Sequence, residues 1–301
     1  MKQYTDDSGE GMIKDLEFRR LSLDDLPAIK NMSDTVGPLN DPSIGEEAES
    51  IIPKSASYLY GAFKENKLVG LGCLTSKTKN YAWIEYIRVH GKHQKKGVGT
   101  ALFGYGEIIA RNKGAKIVAY STVTGNKGSC RVGEKLGFHQ AVEMHSFYIK
   151  TQDCPELDET YRNQKPLLIE EALDFLRKMP NGPKDEICTA WNFDPLEKEY
   201  FENQDCMTFY ALGEAVLLER YFRDGNTNQI ICALSALYGT QKDAHELLLG
   251  FIKRNVDKPA RGLLCLCSED LISIVLKTGF QYATIWNGER NIIVLFKKYL
   301  S

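Results

Sequence analysis

No stretch of this sequence approaches the roughly 20 consecutive apolar residues that a membrane-spanning helix needs, so a membrane partner is not expected. Excess charge of one sign is also lacking. A formal net charge of −2 over 301 residues gives no global attraction to nucleic acid or to anionic lipid, so any anion site must be local. The 8 cysteines form no CxxC pair with histidine partners, which argues against a zinc site; no metal is expected. Residues 1–11 are polar and acidic, unlike a secretory leader, so the thiols read as free groups in a reducing cytoplasm. The glycine turns lack the Gly-Lys-Ser/Thr end of a P-loop and the three-glycine dinucleotide fingerprint. What is present is ordinary globular composition at a length natural for two domains.

Residues 16–21 read as a first strand. Ser22 then opens a helix with the Ser-x-x-Asp pattern, with Leu26, Ile29 and Met32 on one face. A helical stretch around residues 46–52 follows. Residues 57–63 and 67–75 read as strands joined at Glu65-Asn66, and 83–90 as another. Period-2 alternation in that last strand groups Glu85, Ile87 and Val89 on one face and Ile84, Tyr86 and Arg88 on the other. A glycine turn, a helix to about residue 113, a strand at 115–121, a short helix at 128–136 and a closing strand at 146–150 complete this half. Residues 153–165 are polar and form the candidate linker.

The second half repeats this order more weakly: strands at 208–212, 215–222 and 229–237, a helix at 243–255, a strand at 262–267 and a short helix at 270–277. Arg111-Asn112 aligns with Arg254-Asn255, and Lys135-Leu136-Gly137-Phe138 aligns with Lys277-Thr278-Gly279-Phe280. The two offsets differ by one residue, which suggests an internal duplication, although Gly-Phe after a helix is common by itself. Expected boundaries are 1–152 and 166–301. An Asn287-Gly288 turn between apolar runs is a late hairpin signal.

The most informative segment runs from Val89 to Leu102. A strand enters Gln94-Lys95-Lys96-Gly97-Val98-Gly99-Thr100 and then a helix. Gly97 and Gly99 lack a Cβ, so a ligand can approach the backbone. Free N–H groups at the helix start and the helix dipole favour an anion, and Lys95 and Lys96 add positive charge. That chemistry suits a pyrophosphate; a turn that merely uses glycine is the alternative.

Gln94-x-x-Gly97-x-Gly99 after a strand resembles the acyl-CoA motif of the GNAT superfamily of N-acetyltransferases. So does Asn126-Lys127-Gly128-Ser129 running on to Lys135-Leu136-Gly137-Phe138, which is most like the branch that acetylates ribosomal-protein N-termini. The resemblance covers about the first half of the chain. It implies a mixed α/β fold, two such domains in tandem with the second degenerate, acetyl-CoA as cofactor, and an amine acceptor on a small molecule, a protein N-terminus or a lysine. Tandem organisation also resembles mycothiol synthase-like enzymes. Backbone groups of Ile87, Arg88 and Val89 would pair with pantetheine. Amides from Gln94 through Lys95, Lys96, Gly97, Val98 and Gly99 to Thr100 would hold the pyrophosphate. Asn126 would contact the cofactor near its thioester end.

An amine is mostly protonated at pH 7, so its attack on a thioester needs a base. Glu85 is the candidate; a surface or cross-strand ion pair is the alternative reading. A tyrosine, the common proton donor of relatives, falls at Gly133 here, which leaves Ser129, otherwise a helix-start residue, as candidate acid. Cys130 has no histidine beside it in sequence, and His90 and His93 read mainly as solvated or backbone-bonded. The second half offers Gly239-Thr240-Gln241-Lys242-Asp243 at the equivalent place, without Gly-x-Gly and with an acid that repels phosphate. Expectations are therefore an acetyltransferase, monomeric or homodimeric, with no nucleic-acid partner. A non-catalytic acyl-CoA-binding or regulatory protein is the alternative.

Overall fold

The hairpin expected at Glu65-Asn66 is present. Both residues take left-handed angles, φ 49° and 60°, as a two-residue turn between twisted strands requires. The strands they join pair from Ser57↔Thr75 to Lys64↔Lys67, with a one-residue register shift between Ala62 and Phe63. This computed structural model describes residues 15–35, 43–179, 182–204, 207–223, 230–258, 262–284 and 288–300.

Along the first part of the chain the elements are β1 (Glu17–Arg20), α1 (Leu26–Ser33), α2 (Ser43–Ile51), β2 (Ser57–Lys64), β3 (Lys67–Ser76), β4 (Tyr81–Val89), α3 (Val98–Asn112), β5 (Ile117–Val123), α4 (Lys127–Lys135) and β6 (His139–Lys150). There follow β7 (Pro166–Leu167), α5 (Ile169–Lys178), β8 (Glu186–Cys188), β9 (Phe193–Pro195), α6 (Lys198–Glu202), β10 (Met207–Leu212), β11 (Ala215–Arg223), β12 (Ile230–Gly239), α7 (Gln241–Asn255), β13 (Gly262–Cys267), α8 (Ile272–Lys277), β14 (Gln281–Tyr282) and β15 (Ile292–Tyr299). Ser22 opens a 3-10 turn, Leu23–Asp25, and not α1 itself, which begins one turn later behind Asp25; Ser22 N donates to Asp25 Oδ2 at 2.9 Å, and the Ser22 side chain caps no backbone N–H. Ile29 and Met32 are buried behind it. Of the late hairpin, residues 285–287 lie outside the described residues; Thr284 bridges Arg290 in antiparallel fashion.

The chain forms two compact units. One comprises Met1–Tyr120, Lys127–Gln140 and Phe296–Ser301, the other Ser121–Asn126 and Ala141–Leu295. Neither is contiguous in sequence. In the first unit β1, β2, β3 and β4 pair antiparallel in that order, and β4 pairs parallel with β5 across the α3 crossover. One sheet face packs Leu59, Leu71 and Cys73 against Ile29 and Met32 of α1 and Ile44 and Ala48 of α2. On the other face the Tyr60 hydroxyl donates to the Leu102 carbonyl of α3 at 3.0 Å. The end of the chain closes this unit: Phe296 stacks on Tyr120 and Leu300 N donates to Lys116 O at 2.8 Å.

In the second unit β10, β11 and β12 are antiparallel, and β12 and β13 are parallel across α7, the same strand–helix–strand order as β4, α3 and β5. Here β6 closes the sheet, pairing antiparallel with β13 from Gly262↔Lys150 to Cys267↔His145. The two anchors of the proposed repeat do different work. Arg254 and Asn255 bind the fully buried carboxylate of Glu219, at 2.9 Å each, whereas Arg111 makes a helix-surface pair with Glu107 at 2.8 Å. The candidate linker begins at the end of the 3-10 turn Thr151–Asp153, contains a second, Glu159–Asn163, and is tied to α7 by Gln164 Nε2 donating to Glu246 O at 2.8 Å.

Candidate active site

Parallel pairing of β4 with β5 runs from Tyr81↔Ile117 to Trp83↔Ala119 and stops there. Beyond Trp83 residues 84–89 of β4 no longer pair with β5, and the carbonyls of Ile87 and Val89 accept instead from Arg88 Nη1 and Gln94 Nε2, at 3.2 Å each. A bulge accompanies the separation. Leu71 pairs with Arg88 and Cys73 with Glu85, so two residues of β4 stand against one of β3. Tyr86 sits in the bulge at φ 55°, a conformation that bulky residues adopt only under constraint.

The bulge corrects the expected face of Glu85. Strict alternation would keep Glu85 with Ile87 and Val89. Instead Glu85 is in register with Cys73, while a Cβ built on Gly72 would lie 2.5 Å from Ile87 Cδ1. Gly72 and Cys73 point to opposite faces, so Glu85 and Ile87 do as well. Ile87 faces α3, and Glu85 lies on the face of α1 and α2. There Thr75 Oγ1 donates to Glu85 Oε1 at 2.6 Å, and the Tyr86 hydroxyl donates to Glu47 of α2. Burial, and then the Glu85 charge, push the Cys73 thiol up to about 12.

The turn after β4 is braced from within. His90 N donates to Val69 O at 3.0 Å, and His90 Nδ1 accepts from Lys92 N at 3.2 Å. The Gln94 carboxamide donates back to Val89 O at 3.2 Å, so its side chain holds the turn. Lys96 Nζ reaches Lys92 O at 2.9 Å. Lys95 and Gly97 adopt left-handed angles, φ 58° and 81°. α3 starts without a side-chain cap, and its first internal bond is Ala101 N to Gly97 O at 3.0 Å. The amides of Val98, Gly99 and Thr100 precede that bond and have no intrahelical acceptor. The Val98 side chain is buried under Gly70, so it serves this turn through its backbone alone. Lys95, Lys96 and Gly97 are exposed. Partial burial, then the positive charge of His90, Lys96, Lys64 and Lys92, lowers the pKa of His93. The turn is thus an electropositive cradle of backbone donors.

Asn126 follows β5, its N–H bonded to Val123 O at 2.9 Å. Ser129 lies in the first turn of α4, and its carbonyl accepts from the Tyr120 hydroxyl at 3.0 Å. A Cβ on Gly133 would come within 2.0 Å of that hydroxyl, so Tyr120 fills the space a side chain at 133 would need. Thr75, Glu47 and Tyr120 escape a reading of the sequence because their contacts depend on strand register, on the bulge and on packing between elements. No group of three or more His, Cys, Asp or Glu side chains among the described residues is arranged to hold a metal ion. The seven described cysteines are free thiols. No helix among the described residues is long and apolar enough to cross a membrane.

A strand end parted from its parallel neighbour leads into an uncapped, glycine-started helix, the element order that the acyl-CoA motif resemblance implies. In agreement, residues 26–138 match the Acetyltransferase (GNAT) family, and this stretch is a GNAT-family domain. The chain resembles streptothricin acetyltransferase of Escherichia coli, at 34% identity over 82 residues, 27% of this chain and 47% of that protein. The match therefore spans about half the length of that relative. Among solved structures, a GCN5-related N-acetyltransferase from Sphaerobacter thermophilus aligns with TM-score 0.61 at 14% identity, over 94% of this chain and 95% of that one. Another from Kribbella flavida aligns with TM-score 0.54 at 13% identity, over 95% of this chain and 71% of that one. At these identities the likeness is one of fold, and it extends over nearly the whole chain.

Proposed function

We infer that the protein is an N-acetyltransferase that moves an acetyl group from acetyl-CoA to a primary amine. The observation that carries this is the end of β4, parted from β5 and running into the cradle, where a Cβ on Gly99 would have only Val89 Cγ2, at 3.8 Å, within 4 Å among the described residues outside its chain neighbours and its own helix backbone. Bound acetyl-CoA would supply an activated acyl thioester. The backbone of Ile87, Arg88 and Val89 would hold its pantetheine arm, the amides between Gln94 and Thr100 its pyrophosphate, and Asn126 its thioester end. Glu85, oriented by Thr75, takes the proton of the acceptor ammonium directly or through water. Ser129 returns a proton to the leaving thiolate. The acceptor is a small-molecule or peptide amine, and the streptothricin acetyltransferase likeness makes streptothricin one member of the panel to test.

The second half serves as a degenerate copy without a cofactor site. The parallel pairing of β12 with β13 continues through five residues, from Ala233↔Leu263 to Leu237↔Cys267, with no opening. Gly239 cannot play the part of Gly99, because a Cβ there would strike Glu214 O at 2.2 Å. Asp243 Oδ2 sits at the start of α7 and accepts from Glu214 N at 2.8 Å. These contrasts support the placing of catalysis in the first half.

The test is CoA-dependent stabilisation together with thiol release from acetyl-CoA over an amine panel. Stabilisation without thiol release for any amine would favour the non-catalytic reading, for which the occupied space at Gly133 is the supporting observation.

A further inference from the structure

Helix α4 carries Ser129, yet its sequence does not account for its stability. It has nine residues, Gly128 and Gly133 among them, and both glycines weaken a helix relative to alanine. Isolated helices shorter than about 12 residues are marginal in water, so α4 must be held from outside.

Two ties do this within the first unit. At its start, the Tyr120 hydroxyl donates to the Ser129 carbonyl at 3.0 Å. At its end, Lys298 Nζ donates to Leu136 O at 2.8 Å and also pairs with Glu107 of α3 at 2.9 Å. Tyr120 cannot turn away, because its ring is enclosed on three sides. Phe103 and Phe138 meet it edge-on, with centroids at 4.7 and 5.4 Å. Phe296 stacks on it at 5.2 Å with the planes 10° apart. Two of the holding residues, Phe296 and Lys298, come from the last strand of the chain, more than a hundred residues beyond α4 in sequence.

We propose that Tyr120, backed by Phe296, is a positioning residue for the Ser129 end of α4, so that the closing strand contributed by the chain's end is part of the acyl-transfer machinery. This rests on the reading in which Ser129 serves the thioester. In this proposal Tyr120 acts through α4. It sets where the first turn of α4 lies, and the aromatic stack sets where Tyr120 lies. The glycine at 133 follows from the same arrangement, since its Cβ position is taken up by the Tyr120 hydroxyl.

The test compares wild type with Tyr120→Phe, Phe296→Ala and Phe296→Tyr in the full chain, well below each melting temperature. Three quantities are read: the Kd of CoA by calorimetry, kcat and KM for acetyl-CoA with an amine on which wild type is active, and amide hydrogen exchange over residues 127–133. Tyr120→Phe keeps the ring and loses the hydroxyl's hydrogen bonds to the Ser129 carbonyl and side chain and to the Gly133 backbone. It should lower kcat about 5- to 10-fold, leave the CoA Kd within about 3-fold, and speed exchange in the first turn of α4. Phe296→Ala should do the same, and Phe296→Tyr should restore both. Unchanged kcat and unchanged exchange in Tyr120→Phe and Phe296→Ala would overturn the proposal, leaving these side chains as packing only. If wild type neither binds CoA nor turns over, the acetyltransferase reading fails instead, and the exchange data alone decide whether Tyr120 positions α4.

Discussion

Gly99 stands beside Val89 with room to spare: outside its chain neighbours and its own helix backbone, a Cβ on Gly99 would meet only Val89 Cγ2, at 3.8 Å, within 4 Å among the described residues. Its backbone is helical, so Gly99→Glu should fold with nearly wild-type stability, helped by an acid at a helix start. In the cradle, however, the new side chain would occupy the anion's place. CoA should raise the melting temperature of wild type and leave that of Gly99→Glu unchanged. Gly97→Glu should also lose the shift, but with a stability cost of about 1–2 kcal/mol, because Gly97 is left-handed at φ 81°. A full CoA shift in Gly99→Glu would remove the cradle.

Glu85→Gln preserves shape and should leave CoA affinity intact. Loss of a general base typically costs about 100- to 10,000-fold, and a kcat loss on the order of 100-fold is expected at pH 7. The deficit should shrink at high pH, where more of the acceptor is free amine. Thr75→Val, which deletes the 2.6 Å bond to Glu85, should lower kcat less and in the same direction. Full activity of Glu85→Gln at neutral pH would make Glu85 structural.

Gly133→Ala puts a methyl group 2.0 Å from the Tyr120 hydroxyl and should destabilise by about 1–3 kcal/mol, as overpacking does. Tyr120→Phe removes that oxygen, and the nearest remaining contact is the ring carbon at 3.0 Å. The double variant should therefore be more stable than the sum of the two single changes, a coupling that denaturant unfolding measures. Strict additivity would mean that the helix shifts to accommodate the methyl group.

Asp25 is held down to about 2 chiefly by hydrogen bonds from Arg19, with Ser22 N assisting. A carboxylate lowered on folding stabilises above its ordinary value near 3.8 and loses that contribution as pH falls through about 2. Arg19 is half exposed, so screening reduces the effect to about 1 kcal/mol. The stability gap between wild type and Asp25→Asn should be smaller at pH 2.5 than at pH 5, by denaturant unfolding at each pH. A constant gap would show that the pair adds nothing.

A fragment of residues 1–152 lacks Phe296 and Lys298, and with them the cover over Tyr120 and both outside supports of Lys298 on Glu107 and Leu136. It should express poorly or aggregate. Appending residues 292–301 through a flexible linker should recover soluble protein with a CoA-dependent melting shift. A fragment of residues 166–301 should bind no CoA. Good solubility of 1–152 alone, with full CoA binding, would show that the closing strand is dispensable.

The cradle could be read from the chain because everything it needs is local. Gln94, Lys95, Lys96, Gly97 and Gly99 lie within six consecutive residues, and glycine chemistry and helix-start geometry are properties of short segments. The Ser22–Asp25 start signal and the Glu65-Asn66 turn were legible for the same reason. What the tertiary structure decided is what depends on distant partners. One residue in a left-handed conformation, Tyr86, inverts the alternation of β4 and turns Glu85 away from Ile87, and no periodicity of the strand itself announces it. The neighbour that excludes a side chain at Gly133 is Tyr120, thirteen residues earlier on another element. The strand that closes the first unit is written at the far end of the sequence, as an apolar run like many others. Strand pairing is a non-local choice made by whichever edge buries that run best, so composition and spacing determined the elements and the cradle, while packing determined which elements close around it.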